Sequence, residues 1–191
     1  MERGSVTRNQ VLGMKRVIEP EWLDELPAEH AGAAGSRRDL QRLNRIMDHG
    51  GILRGLLESE MNGRRPGRIV ELGAGDGTLM LQLAKHLSRR WPRGEVVLVD
   101  CKNAVTDETQ AGFASLGWAM ETVTADIFDW LKKPAEPADA MIANLFLHHF
   151  SEEQLARMLR LAAARTRLFA ACEPRRAALP LLFSRLVGLI G

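Results

Sequence analysis

A glycine-rich segment is the clearest chemistry-bearing feature of the sequence. Residues 71–78 read Glu-Leu-Gly-Ala-Gly-Asp-Gly-Thr, with a glycine at every second position from 73 to 77. Glycines at the end of a strand let the backbone turn tightly and let a ligand come within van der Waals contact. The dinucleotide pattern G-x-G-x-x-G needs a glycine where this chain has Thr78, and Glu71 would repel a pyrophosphate. The segment therefore favours a cationic nucleoside that carries an ammonium or a sulfonium.

Two aspartates follow the turn at positions that suit a nucleoside. Asp100 lies 23 residues after Gly77, close to the spacing of about 20 residues at which an acid receives ribose hydroxyls in doubly wound folds. An ionised carboxylate can accept both hydroxyl protons. Asp126 is followed by Ile127 and Phe128, so it could accept a hydrogen bond from an adenine amine while the apolar side chains cover the ring. Both aspartates are predicted ligand contacts.

Candidates for acid–base chemistry lie in residues 144–149, Asn-Leu-Phe-Leu-His-His. One histidine of the pair His148 and His149 could act as a general base for a hydroxyl or carboxylic acceptor. The alternative is that the pair only packs beside the nucleoside. Asn144 could hydrogen-bond near the reacting group or could form a turn. Glu173 and Arg175 could also face an acceptor, although a solvated loop is the commoner role for such residues.

These residues need a scaffold of alternating strands and helices. Apolar segments predict strands at 69–73, 95–100, 119–125, 139–146 and 167–172, and helical spacing predicts helices at 78–90, 106–116 and 151–165. The last of these helices opens with a capping box, Ser151 to Gln154. Continuous apolar strands that alternate with helices predict an α/β, doubly wound, Rossmann-like and mostly parallel sheet with helices on both faces.

The chain is predicted to divide near residue 65. Residues 1–65 are expected to form an N-terminal helical arm or lid, with a short turn at 22–26, an amphipathic helix at 36–47 and a second apolar helix after the glycines at 50–51. Residues 66–191 are expected to form the ligand-binding domain. A helix at 178–190 is predicted after the fifth strand.

Composition excludes several classes of function. The 26 lysines and arginines nearly balance the 24 acidic residues, so no nucleic-acid partner is indicated. The four tryptophans are scattered and form no stacking array. Two isolated cysteines and the histidine spacing predict no metal site. No membrane span and no secretory signal are evident, so a cytoplasmic protein is expected, and a homodimer stays open.

The sequence resembles the class I S-adenosylmethionine-dependent methyltransferases. Residues 69–78 match the first motif of that family, 97–100 the second, 124–126 the third and 139–149 the fourth. The resemblance implies S-adenosylmethionine as cofactor, with Glu71 and the glycines by its methionine part, Asp100 on the ribose and Asn144 beside the sulfonium. The predicted cofactor set is Glu71, Gly73, Ala74, Gly75, Gly77, Thr78, Asp100, Cys101, Asp126, Ile127 and Asn144. The predicted catalytic set is His149, His148 and Asn144.

The family usually completes its sheet with two further strands, and this chain is expected to lack that C-terminal pair. Residues 22–27 and 38–44 also resemble small bacterial methyltransferases that are associated with polyketide synthases and act on phenolic products. The expected function is methyl transfer to a small-molecule acceptor, at the oxygen of an aromatic or lipidic hydroxyl. The alternatives are a non-catalytic binding or regulatory module, a C-methyltransferase of a quinone-like ring, and a nicotinamide oxidoreductase.

Overall fold

A computed structural model describes residues 48–173 of the 191-residue chain. The strands are β1 Arg68–Leu72, β2 Glu95–Asp100, β3 Ala119–Thr124, β4 Ala138–Asn144 and β5 Thr166–Cys172. The helices are α1 His49–Met61, α2 Thr78–Leu87, α3 Asp107–Ser115, α4 Ile127–Lys132 and α5 Glu152–Ala163, with a 3-10 turn at Leu147–His149. Strands and helices therefore alternate from β1 to β5.

The five strands form one sheet in the order β3-β2-β1-β4-β5, and every neighbouring pair is parallel. The chain runs outward from β1 to β3, then returns to pair β4 with the other side of β1. The strand order thus reverses between β1 and β4, and open α/β sheets bind ligands outside the carboxyl ends of the strands at such a point. The predicted doubly wound, Rossmann-like sheet is confirmed.

Two apolar layers cover the two faces of the sheet. Helices α1, α2 and α3 contribute Leu53, Leu83 and Phe113 to one buried cluster. Helices α4 and α5 contribute Trp130 and Met158 to the other. Because both faces are covered, the central strands are buried on both sides, which explains their continuous apolar sequences.

Side-chain caps begin most of these helices. Ser151 and Gln154 form the predicted capping box at α5. Asp48 accepts a hydrogen bond from the Gly51 N–H at the start of α1, and a Cβ at Gly51 would lie 2.1 Å from the Asp48 carboxylate. The glycine pair at 50–51 therefore lies in the first turn of α1, whereas the sequence predicted a helix that begins after these glycines.

The structure departs from the sequence predictions most clearly in three places. Helix α4 was not predicted, because Ile127 and Phe128 were interpreted only as cover for an adenine; Asp126 caps this helix instead. Strand β4 ends at Asn144, two residues early, because Leu145 adopts a φ of 49° and its N–H donates to the Cys172 carbonyl at 2.9 Å. Helix α2 ends at Leu87 rather than residue 90.

Several predictions lie outside the described residues: the turn at 22–26, the helix at 36–47, the helix at 178–190 and the missing strand pair. Within 48–173, no helix combines the length and the apolar character that crossing a membrane requires.

Candidate functional site

The glycine-rich turn is anchored to β2 and leaves one glycine facing open space. The N–H groups of Gly73 and Ala74 donate to the Val99 carbonyl at 2.9 and 3.1 Å. Gly73 has a φ of 70°, and a Cβ there would lie 2.2 Å from the Phe146 ring. Gly75 has a φ of 55°, but a Cβ there would meet nothing within 4 Å. Gly73 is thus required by packing, whereas Gly75 is where a ligand can approach the backbone.

Asp100 lies at the end of β2 and fixes the turn from the other side. Its Oδ2 accepts from the Gly75 N–H at 2.8 Å, and its Oδ1 accepts from the Lys102 N–H at 3.0 Å. A carboxylate offers about four lone-pair sites, so hydroxyl donors can still bind. The predicted ribose acid borders a shallow, solvent-open cleft. The cleft is lined by Ala74, Gly75, Leu98, Asp100, Lys102, Asn103, Val105, Thr122, Val123 and Thr124.

Glu71 is a buried acid with an unsatisfied oxygen. Its side chain is 2% exposed, and Oε2 has no hydrogen-bond partner among the described residues. Burial raises the pKa of Glu71 well above its ordinary value, and the negative charges of Asp76 and Asp100 raise it further. Asp76 itself accepts from the Thr78 N–H at 3.0 Å and from the Thr78 hydroxyl. Three acids therefore converge on the turn, and a positively charged ligand fits this environment.

The positions of Asp126, Ile127 and Cys101 give less support for contact with a cofactor. Asp126 is exposed, and its Oδ1 accepts from the N–H groups of Phe128 and Asp129 at 2.8 and 3.1 Å. This N-cap accounts for the residue without any ligand. Ile127 is buried, and Cys101 is exposed beside Asp100. Asp126, Ile127 and Cys101 do not line the cleft, and their contact with a cofactor stays a prediction.

Glu173 organises the carboxyl ends of β4 and β5. Its Oε1 accepts from the N–H groups of Phe146 and Leu147 at 2.8 and 2.6 Å, and its Oε2 lies 2.8 Å from His148 Nδ1. Burial acts to raise the pKa of Glu173, but the hydrogen bonds from His148, Leu147 and Phe146 outweigh it, and the pKa is lowered. The solvated-loop interpretation is wrong for Glu173. Arg175 lies outside the described residues.

The two predicted catalytic histidines lie together but in different surroundings. Their ring centroids are 4.3 Å apart. His148 is the one that pairs with the Glu173 carboxylate, while the His149 ring lies 6.1 Å from that of Phe146. Phe146 also packs on Gly73, so the histidine loop contacts the glycine-rich turn directly.

A third histidine belongs to this region and was missed as a site residue. His49 is 1% exposed, and its side chain lies next to that of Asn144. Burial lowers the pKa of His49, partly offset by a polar interaction with Asn144 and by the charges of Glu173 and Asp48. From the sequence, His49 was only one of the histidines whose spacing predicts no metal site. His49 lies next to Asn144 because α1 packs against β5. No local sequence pattern predicts that packing.

Residues 48–173 hold no cluster of three or more His, Cys, Asp or Glu side chains that could bind a metal ion. The polar groups at the carboxyl edge are instead arranged as two neighbouring sets, acids around the glycine-rich turn and histidines with Glu173 beside β5.

A comparison with known protein families identifies the family of this domain. A family profile described as a methyltransferase domain matches residues 69–167, just over half of the chain. The chain belongs to this methyltransferase domain family. The match runs from β1 into β5 and so includes the glycine-rich turn, Asp100, Asp126 and the loop that carries both histidines. No curated protein sequence matches the chain.

Solved methyltransferase structures share the fold at low sequence identity. Magnesium protoporphyrin IX methyltransferase from Synechocystis PCC 6803, with bound S-adenosylhomocysteine, has a TM-score of 0.52 and 17% identity over 74% of this chain and 62% of its own. The plantazolicin methyltransferase BamL, also bound to S-adenosylhomocysteine, has a TM-score of 0.51 and 16% identity over 73% and 49%. An O-methyltransferase family protein from Burkholderia thailandensis has a TM-score of 0.42 and 18% identity over 62% and 37%. The chain spans less than two thirds of each of these proteins.

Proposed function

We propose that this methyltransferase domain binds S-adenosylmethionine at the carboxyl ends of β1 and β2 and transfers its methyl group to a small-molecule acceptor. The observation that carries the proposal is the buried Oε2 of Glu71, which has no hydrogen-bond partner within residues 48–173, beside the open backbone at Gly75. An ionised carboxylate without a partner is unfavourable in a protein interior, and a nearby cation relieves that cost. The methionine part of S-adenosylmethionine carries a sulfonium and an ammonium.

Each residue of the turn then has a role that its geometry allows. Gly75 lets the nucleoside approach the backbone, since its Cβ position is open. Asp100, which lines the cleft, accepts hydrogen bonds from the ribose hydroxyls. Asp126 accepts one from the adenine amine. The bound structures of the two relatives with a TM-score above 0.5 support a nucleoside site in this fold.

The proposed acceptor is a hydroxyl on an aromatic or lipidic small molecule. S-adenosylmethionine supplies an electrophilic methyl group, and the protein's main task is to hold the acceptor at reaction distance and in line with it. Asn144 ends β4 next to the strand reversal, and His148 and His149 follow within five residues. The two relatives with a TM-score above 0.5 are named for unlike acceptors, magnesium protoporphyrin IX and plantazolicin, so the acceptor has to be found by assay.

A transfer assay tests this proposal against its alternatives. The full chain is incubated with methyl-labelled S-adenosylmethionine and a panel of phenols, quinols and hydroxylated lipids, and labelled products are counted. Label recovered on oxygen is the expected result, whereas label on ring carbon would point to C-methylation. Cofactor binding without transfer to any acceptor would favour a non-catalytic module. A fluorescence titration that showed NADH binding would favour an oxidoreductase.

A further inference from the structure

Glu71 lies on β1 among apolar neighbours. The parallel register places it between Leu98 on β2 and Ile142 on β4. Both neighbours belong to the buried apolar cluster to which α1, α2 and α3 contribute. The Glu71 side chain is 2% exposed, and its Oε2 has no hydrogen-bond partner within residues 48–173. The strands on either side of Glu71 therefore place apolar side chains, not polar ones, opposite its carboxyl group.

The charges that act on Glu71 are negative. Burial raises its pKa most, and Asp76 in the glycine-rich turn and Asp100 at the end of β2 raise it further. An ionised Glu71 would be both desolvated and repelled by these two acids, whereas the neutral acid avoids both costs. A proton on the carboxyl group and a cation beside it are two ways to remove the same unfavourable charge.

Other ionisable groups belong to the elements packed around this face of the sheet. They are His49 on α1, Lys102 after β2, and Asp107 and Glu108 on α3. Helix α2 carries no ionisable side chain in residues 78–84. The electrostatic influences on His49 come from Glu173 and Asp48, while Asp107 and Glu108 are exposed. Lys102 lines the cleft with Asp100, which accepts from its backbone N–H.

We propose that Glu71 carries a proton in the ligand-free protein and releases it to solvent when a cationic nucleoside binds at the glycine-rich turn. The inference rests on the proposed function and adds an exchange of a proton for a cation at its cofactor site. The proton leaves the carboxyl oxygen for water or buffer, and no other bond is broken. The ionised carboxylate is then stabilised by the positive charge of the ligand.

This exchange makes the affinity for S-adenosylmethionine depend on pH. At pH values between the pKa of Glu71 in the complex and its higher pKa in the ligand-free protein, binding displaces one proton. Affinity should therefore rise about tenfold per pH unit over this range. Above the ligand-free pKa the carboxylate is already ionised, and affinity should level off. Glu71→Gln has no proton to exchange, so its affinity should lack this rise.

The protonation of Glu71 can be measured without any ligand. The full chain is labelled with ¹³C at the glutamate carboxyl carbons, and nuclear magnetic resonance follows their signals as pH changes. We expect one signal, absent in Glu71→Gln, to titrate above the ordinary glutamate pKa of about 4.3. Glu173, whose pKa is lowered despite burial, should titrate below it. The proposal is overturned if every glutamate of the folded wild type titrates at or below about 4.3, and that outcome needs no variant to fold.

Calorimetry in buffers with different enthalpies of ionisation counts the protons released on binding. At a pH below the ligand-free pKa of Glu71, the wild type should release up to one proton more than Glu71→Gln when S-adenosylmethionine binds. Glu60→Gln, a change at an exposed position on α1, should match the wild type. S-adenosylhomocysteine keeps the ammonium but lacks the sulfonium, so release with both compounds would assign the exchange to the ammonium. Equal release by the wild type and Glu71→Gln would contradict the proposal.

These measurements separate the exchange from the proposed function. Binding of S-adenosylmethionine with no proton released would overturn the exchange and leave the cofactor site in place. A folded wild type in which Glu71 is protonated but S-adenosylmethionine does not bind would instead overturn the proposed function.

Discussion

Two groups of polar residues at the carboxyl edge of the sheet differ in how their buried carboxyl groups are hydrogen-bonded. At the proposed cofactor edge, which comprises residues 71–78 and Asp100, Glu71 is buried, its Oε2 has no hydrogen-bond partner in the described part of the chain, and other acids lie nearby. At the acceptor edge, which comprises Asn144, His148, Glu173 and His49, the carboxylate of Glu173 accepts three hydrogen bonds. The first arrangement favours a proton or a positively charged ligand at Glu71, whereas in the second the carboxylate is satisfied by described residues.

The difference indicates what each edge is for. A buried polar atom without a partner costs about 1–3 kcal/mol, and more when it is charged, so an acid is best left in that state where a ligand will satisfy it. A hydrogen-bonded carboxylate and histidine hold each other in one orientation. The two edges meet where Phe146, on the loop held by Glu173, packs on Gly73.

A substitution at the contact between the two edges should have the largest effect on the free energy of unfolding. In Gly73→Ala, the new Cβ would collide with the Phe146 ring at a φ of 70°. Left-handed strain of about 1–2 kcal/mol and overpacking of about 1–3 kcal/mol should together lower the free energy of unfolding by about 2–5 kcal/mol. Urea unfolding measures this change.

Gly63→Ala is the matched control, since Gly63 has a φ of 79° and open space around its Cβ position. Gly63→Ala should lower the free energy of unfolding only by the backbone strain of about 1–2 kcal/mol. Equal losses in the two variants would mean that the Phe146 contact carries no energy and that the edges are independent.

Removing the ribose acid should weaken the cofactor edge alone. Asp100→Ala should reduce the affinity for S-adenosylmethionine by about 1.5–3 kcal/mol, the range for hydrogen bonds to a charged group, as measured by calorimetry. Asp129→Ala removes an acid on α4 that is 68% exposed and pairs with Lys132, and it should leave affinity unchanged. Unchanged affinity in Asp100→Ala would place the ribose elsewhere.

Glu71 should change how the free energy of unfolding depends on pH. Because the pKa of Glu71 is raised in the folded state, its contribution to stability is fully present below the pKa of the unfolded chain and is lost as pH rises through the folded pKa. The free energy of unfolding of the wild type should therefore fall relative to Glu71→Gln as pH rises from about 4.3, the ordinary pKa of glutamate.

Urea unfolding from pH 4 to pH 8 gives the comparison. Glu60→Gln, a change at an exposed position on α1, should follow the wild type throughout. Parallel curves for the wild type and Glu71→Gln would show that Glu71 bears no unsatisfied charge, and the contrast between the edges would disappear.

The smallest effect concerns Asp126, which has a structural and a proposed ligand role. Asp126→Ala removes the N-cap of α4 and should cost about 0.5–2 kcal/mol of stability, whereas Asp126→Ser keeps a capping oxygen and should cost less. If the adenine amine binds here, both variants should lose affinity for S-adenosylmethionine. Loss of stability with wild-type affinity in both would leave only the cap.

The sequence predicted the cofactor edge better than the acceptor edge, for a physical reason. The turn 71–78 and Asp100 belong to contiguous patterns in which glycine spacing and strand ends are visible. Glu173 reaches Phe146 and Leu147 across 27 and 26 residues, and that contact follows from the pairing of β4 with β5. The solvated-loop interpretation failed because it judged Glu173 from its neighbours in sequence.

The parallel sheet and the strand cores followed from apolar segments, but the order of the strands and the ends of the elements did not. Asp126 was interpreted as a ligand residue when its local role is to cap α4. Leu145 turns the chain out of β4 through a left-handed conformation that its residue type does not suggest. His49 could not be placed next to Asn144 without knowing where α1 packs.

The central claim, a cation-accepting nucleoside site at the glycine-rich turn, is tested most directly by calorimetric titration. The purified full chain is titrated with S-adenosylmethionine and with S-adenosylhomocysteine, and its folded state is checked by circular dichroism. Micromolar binding of both compounds, weakened by about 1.5–3 kcal/mol in Asp100→Ala and kept in Asp129→Ala, is the predicted result. A folded chain that binds neither compound would contradict the account.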